Sequence, residues 1–295
     1  MTLRKTTIFL AFLSLTFIAC SKDETQVDIQ EMGQQIGDIM ASVDESGGSS
    51  GSYASVVSGH SKMVARLAPA TFWEKFNLLP QANATSCYSA STFSGCSSNV
   101  ITRDFGGCTL GAATFTGTVT ITFVDASDDN ICLITGDSQT ITRVPNFTVT
   151  GRRGAELSVK KTGSVGQRVT RTAAGVFSFT NDGIQRKFTL PGGGTLLDYT
   201  SEVTSAITVS GNSRNGRTMS GGVLKVTNNV NGNVCSYTPS AVTWDSSCNC
   251  PVQGSWSGSC TDGRETVLTI ISCGQANLIL GEDSETFTFD RCNSI

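Results

Sequence analysis

From about Cys87 to the C-terminus, apolar residues recur at every second position, and this period excludes a helical bundle before anything else is considered. The stretch Thr114 to Phe123 puts Phe115, Val119, Ile121 and Phe123 on one face and five threonines on the other. The same alternation runs through Phe147/Val149, Leu157/Val159, Phe177/Phe179, Phe188/Leu190, Leu224/Val226, Val242/Trp244, Leu268/Ile270 and Phe287/Phe289. Gly- and Asn-rich turn signals separate these runs, among them Thr150 to Gly154, Asn181-Asp182-Gly183, Pro191 to Gly194, Asn212 to Gly216 and Asn231-Gly232-Asn233. The pattern predicts an all-β fold, either an antiparallel sandwich or a long curled β-meander. Leu197, Tyr199, Val203, Ile207 and Val209 continue the alternation through one long segment, which must span both layers or bend between them. The strands are too short, and tryptophan too scarce, for a lipid-facing barrel with aromatic girdles.

The cysteines fit a secreted β protein. Of the 11 in the chain, all but Cys20 fall in two groups: Cys87, Cys96, Cys108 and Cys132, then Cys235, Cys248, Cys250, Cys260, Cys273 and Cys292. An even number of such residues predicts disulfides in an oxidising compartment, here up to five, with bridges mostly inside each group. Thiol-bound zinc is disfavoured, because no Cys-x-x-Cys pair is present and His60 is the only histidine.

The N-terminus says where such a chain is sent. Arg4 and Lys5 precede the apolar run Ile8 to Ile18, which is too short for a comfortable membrane span and has the form of a signal peptide. Phe17-Ile18-Ala19-Cys20 resembles the lipobox of bacterial lipoprotein precursors. The resemblance implies cleavage after residue 19 and a membrane partner held through diacylglycerol and acyl chains on Cys20. Ser21, where the family's inner-membrane retention signal has Asp, implies transfer to the outer membrane, facing the periplasm or the cell exterior. The expected organisation is a signal peptide over 1–19, a lipidated tether over 20–60 and a disulfide-rich all-β domain over 61–295. Loss of Arg4 and Lys5 takes the formal charge from −3 to −5, which disfavours nucleic acid as a partner.

Within the tether, Ile29, Met32, Ile36, Ile39 and Val43 recur at helical spacing, so a short amphipathic helix is expected. Its stripe has three possible destinations: the domain, another copy, or the bilayer. Gly47-Gly48-Ser49-Ser50-Gly51 formally matches a nucleophile elbow, but no strand is predicted before it and it reads as linker. Met63 to Leu79 is a second apolar segment, expected to pack on the first sheet.

Chemistry-bearing residues are few. Asp125, Ser127 and Asp129 alternate in a manner that could wrap calcium, but the later bidentate Glu is missing and an acidic hairpin tip is the simpler reading. Asp198 and Glu202 share a strand face about 13 Å apart at ~3.3 Å per residue, too far for a glycosidase pair. Trp244 and Trp256 flank Cys248-Asn249-Cys250 and form either a sugar-stacking platform or core beside disulfides, with core expected. The five threonines of Thr114 to Thr122 invite an ordered-surface reading, but threonine is also the ordinary strand former for a wet face. No cofactor motif is present. The expected role is non-catalytic: recognition or adhesion of a protein or glycan, or a structural place in the envelope. A glycan hydrolase and a lipid carrier are the alternatives.

Overall fold

Alternation of this kind satisfies its backbone groups only by strand pairing, and among the residues it describes the computed structural model places fifteen strands in one antiparallel sheet. It describes residues 94–289 except 95, 111–112, 125–131, 133, 135, 152, 212–214 and 249, together with Met32, Gly33, Ile36, Gly37 and Met40. The strands are β1 (Val100–Asp104), β2 (Cys108–Leu110), β3 (Ala113–Val124), β4 (Thr140–Thr150), β5 (Glu156–Lys161), β6 (Gln167–Ala173), β7 (Val176–Thr189) and β8 (Thr195–Ser210). They continue with β9 (Thr218–Ser220), β10 (Val223–Asn228), β11 (Val234–Trp244), β12 (Pro251–Cys260), β13 (Glu265–Ser272), β14 (Gln275–Leu280) and β15 (Asp283–Thr288). Their order is β1-β3-β4-β5-β7-β8-β10-β11-β12-β13-β14-β15, with β2 beside β3, β6 beside β4 and β7, and β9 beside β8 and β11. This is a meander.

One face of the sheet carries the core. Ile101, Phe115, Ile121, Phe123, Val149, Phe179, Ile207, Leu224, Tyr237, Leu268 and Leu278 are all buried and belong to one contiguous apolar cluster. A single sheet buries one face against itself only by curling, so of the two expected architectures the described strands form the curled meander. Arg103, Arg143 and Arg186 share the inward phase of their strands, and together with Arg217 they are buried and engaged rather than free. Arg103 lies over the Phe105 ring at 4.7 Å. Strands β3, β4, β7, β8 and β11 run to 11–16 residues, longer than the sequence suggested, so length does not distinguish them from membrane strands, but their outer face is polar, the inverse of a lipid-facing barrel. There Thr114, Thr116 and Thr122 of β3 stand opposite Thr150, Thr148 and Thr142 of β4. The threonine pattern is therefore registered across two strands, as mutually supporting cross-strand pairs.

Because neighbours are antiparallel, the turns fall on two rims. The connections β4–β5, β7–β8, β10–β11, β12–β13 and β14–β15 share one rim, here the upper. Those of β6–β7, β8–β9, β11–β12 and β13–β14 share the lower. Cys96–Cys132 and Cys248–Cys273 staple the lower rim, and Cys235–Cys260 joins register partners of β11 and β12 near the upper one. These three bridges stay within the cysteine groups read from the sequence. Cys108 and Cys250 are disulfide-bonded as well, while Cys20, Cys87 and Cys292 lie outside the described residues.

Two local expectations are corrected. Asn181-Asp182-Gly183, read as a turn, lies inside β7, so the Phe177/Phe179 and Phe188 runs are one strand. The side-chain amide of Asn181 donates to the Ser201 carbonyl at 3.0 Å, and Gly183, with φ at 134°, supplies the local kink as a bulge rather than a chain reversal. Leu190, read as part of a strand, sits at the hairpin tip and is exposed.

At the N-terminus, Met32, Gly33, Ile36, Gly37 and Met40 are helical. Met32, Ile36 and Met40, spaced by four, face one way and are buried in the same apolar cluster as the sheet. Gly33 and Gly37 let the helix approach closely: a Cβ at Gly33 would fall within the Phe287 ring, and one at Gly37 would lie 2.5 Å from Cδ1 of Phe289. Trp256 Nε1 donates to the Met40 sulfur at 3.4 Å. Of the three destinations open to the apolar stripe, these positions take the domain, and the segment expected as tether contributes to the core here.

Candidate functional site

The strongest irregularity of the sheet lies in the middle of β8. Between Phe179↔Ile207 and Asn181↔Val203, β8 uses four residues where β7 uses two, and on its other side the pairing with β10 shifts between Val223 and Leu224. Thr204, Ser205 and Ala206 are consequently pushed outward and exposed. Beside this bulge a groove of about 430 Å³ opens, lined by Val165, Gly166, Arg168, Thr180, Asn181, Asp182, Glu202, Val203 and Thr204. Bulges of this type terminate pairing and redirect side chains, and they concentrate at sites of function.

The groove draws on three strands and one loop. Asp182 of β7 accepts hydrogen bonds from the backbone N–H of Val165 and of Gly166, each at 2.6 Å, and from the Ser164 hydroxyl at 2.9 Å. Burial works to raise the pKa of this carboxyl, but the hydrogen bonds outweigh it and hold the group below its ordinary value. Asp182 is thus a clamp on the β5–β6 loop. Glu202 of β8 accepts from Lys225 Nζ of β10 at 3.0 Å. Arg168 of β6 is exposed on the wall, and among the described residues it forms no ion pair. With both carboxylates committed to a loop clamp and an ion pair, the groove offers hydroxyls and one uncommitted guanidinium, which is equipment for holding a polar ligand.

The residues singled out from sequence are dispersed. Asp198 is held by Gln185 and Asn229 amides, each at 2.6 Å, and stands apart from the groove that contains Glu202. Trp244 and Trp256, weighed as a stacking platform, are 2% and 0% exposed, so neither offers a ring face to a sugar. The calcium candidates Asp125, Ser127 and Asp129, together with His60, the Gly47 to Gly51 match and the Met63 to Leu79 segment, lie outside the described residues. Among the described residues no three His, Cys, Asp or Glu side chains converge as a metal site, and no helix is long and apolar enough to cross a membrane.

Sequence reasoning missed Asp182, Arg168 and Thr204. A signal existed: alternation resumes after Asn181-Asp182-Gly183 with its phase shifted by one, from Phe177, Phe179 and Asn181 to Ile184, Arg186 and Phe188, which is what an inserted bulge residue does. No known protein family matches this chain, and neither does any curated protein or any solved structure.

Proposed function

We propose that the chain is an outer-membrane lipoprotein, anchored through diacylglycerol and acyl chains on Cys20, whose disulfide-stapled β domain recognises a protein or glycan partner in the envelope without turning it over. The observation that carries this reading is Phe17-Ile18-Ala19-Cys20 directly after a basic start and an apolar run of secretory length. The disulfides support it, since such bridges persist in oxidising compartments. The groove beside the β8 bulge supports recognition over catalysis, because both of its carboxylates are committed, Asp182 to the loop it clamps and Glu202 to Lys225, whereas a glycan hydrolase needs a pair free to act on the bond.

Three measurements test the reading. Intact-mass analysis of the N-terminal peptide is expected to show a lipid-modified Cys20, and Cys20→Ser is expected to move the protein from the membrane to the soluble fraction. Unmodified Cys20 with unchanged fractionation refutes the anchor. Protease treatment of intact cells, with a periplasmic protein as control, then separates outward recognition from a periplasmic role.

A further inference from the structure

The exposed apolar side chains are distributed unevenly. Of the six large ones exposed among the described residues, Leu190, Leu196, Val230 and Ile279 stand at or near the upper rim, and Val124 and Ile271 at the lower. Leu190 and Leu196 flank the Pro191-Gly192-Gly193-Gly194 tip of the β7–β8 hairpin. Val230, 64% exposed, crowns the neighbouring β10–β11 turn, which is tied back to β8 by a hydrogen bond from Asn229 N–H to the Asp198 carbonyl at 2.8 Å. None of these side chains serves the core.

The buried helical positions supply a direction. Gly33 lies against Phe287 and Gly37 against Phe289, so the chain advances along β15, away from the upper rim. Four helical residues rise about 6 Å and two strand residues about 6.6 Å, so helix and strand keep pace. Met32 and Gly33, the described helical positions nearest Cys20 in the chain, therefore stand nearer the upper rim than Gly37 and Met40 do. Met32 comes twelve positions after Cys20, a span of at most ~43 Å at up to ~3.6 Å per residue.

We infer that the upper rim is a membrane-contact surface: Leu190, Leu196 and Val230 rest in the interface of the bilayer that holds the anchor, and the core-docked helix turns the domain that way. This rests on the lipid-anchor reading. The same rim carries Glu282 and Asp283 at the β14–β15 turn, Arg153 at the β4–β5 turn, and Asp262 paired with Arg264 at the β12–β13 turn, a mixed charge that suits zwitterionic headgroups.

The test uses the full lipidated chain in phosphatidylcholine vesicles whose acyl chains are brominated near the headgroup, with Leu190→Trp, Leu196→Trp, Val230→Trp and, on the lower rim, Ile271→Trp. The native Trp background is taken from the unsubstituted protein. Emission from the three upper-rim variants is expected to be lost relative to unbrominated vesicles, with Ile271→Trp unchanged. Quenching of Ile271→Trp alone, or of none while Cys20 carries lipid by mass, overturns the inference. Cys20 without lipid overturns the anchor reading and this inference with it. Hydrogen exchange on the unsubstituted protein needs no change at the rim: amides of Leu190, 192–196 and 229–231 are expected to exchange more slowly on vesicles than in lipid-free Cys20→Ser protein, and equal rates count against contact.

Discussion

Truncating Met40 to Ala is expected to destabilise the whole domain although the residue lies more than fifty positions before the first strand. Met40 is 1% exposed within the apolar cluster, and its sulfur accepts the Trp256 Nε1–H at 3.4 Å. Removing a buried Met side chain down to Ala costs about 2–5 kcal/mol. Orphaning the indole N–H adds about 1 kcal/mol at the low end of the penalty for a buried unsatisfied donor, since a thioether is a weak acceptor. The expected total is at least about 3 kcal/mol. Met40→Leu keeps the volume and loses only the acceptor, so it is expected to cost under about 1.5 kcal/mol. Equilibrium urea unfolding under non-reducing conditions, followed by tryptophan emission, measures both, and the difference between the variants isolates packing from the hydrogen bond. A Met40→Ala midpoint equal to that of the unsubstituted protein would show that the helix does not complete the core. Gly37→Val gives the converse check: its Cβ would lie 2.5 Å from Phe289 Cδ1, an overpacking worth about 1–3 kcal/mol.

Further expectations concern charge and crosslinks. The carboxyl of Asp182 is depressed below its ordinary 3.8, so the stability it contributes is present above that value and lost as pH falls through the lower folded-state value. Asp182→Asn should therefore be less stable than the parent at neutral pH and converge with it in acid, read from urea midpoints across pH; a constant gap would remove the clamp. Burial pushes the Tyr237 phenol well above its ordinary 10.0, against a weaker opposing hydrogen bond with Thr266. Its contribution to stability is present below pH 10 and declines above it, so alkaline difference spectra should show this tyrosine ionising only with unfolding. Paired Cys248→Ser and Cys273→Ser substitution opens a loop of 25 residues, an expected loss of about 3.5 kcal/mol from chain entropy, and an unchanged denaturation midpoint would refute that magnitude.

The inner face was legible because burial of alternate side chains needs nothing beyond period two: Phe115, Ile121, Phe123, Val149 and Leu268 are where the alternation puts them. Grouping of the cysteines was legible for a related reason, since bridges between residues 25 to 36 apart join parts of a meander that are neighbours anyway. The groove was not. It arises where β8 slips against both neighbours at once, and a slip is a relation between strands that no single segment records.

The sequence by itself determined the strand content, the wet and dry faces, the disulfide partition and the lipobox-like start, because each depends on residues close in the chain or on composition. Tertiary structure alone decided three matters. It turned Asn181-Asp182-Gly183 from a turn into a bulge, because Ser201 on the neighbouring strand holds Asn181 in line. It sent Met32, Ile36 and Met40 to the core rather than to lipid or a second copy, because Phe287, Phe289 and Trp256, more than two hundred residues later, offer the surface they fit. It also gathered Leu190, Leu196 and Val230 on one rim. Such pairings are set by packing and register, whose energies are summed over contacts between distant segments, so they exist only once the sheet has curled.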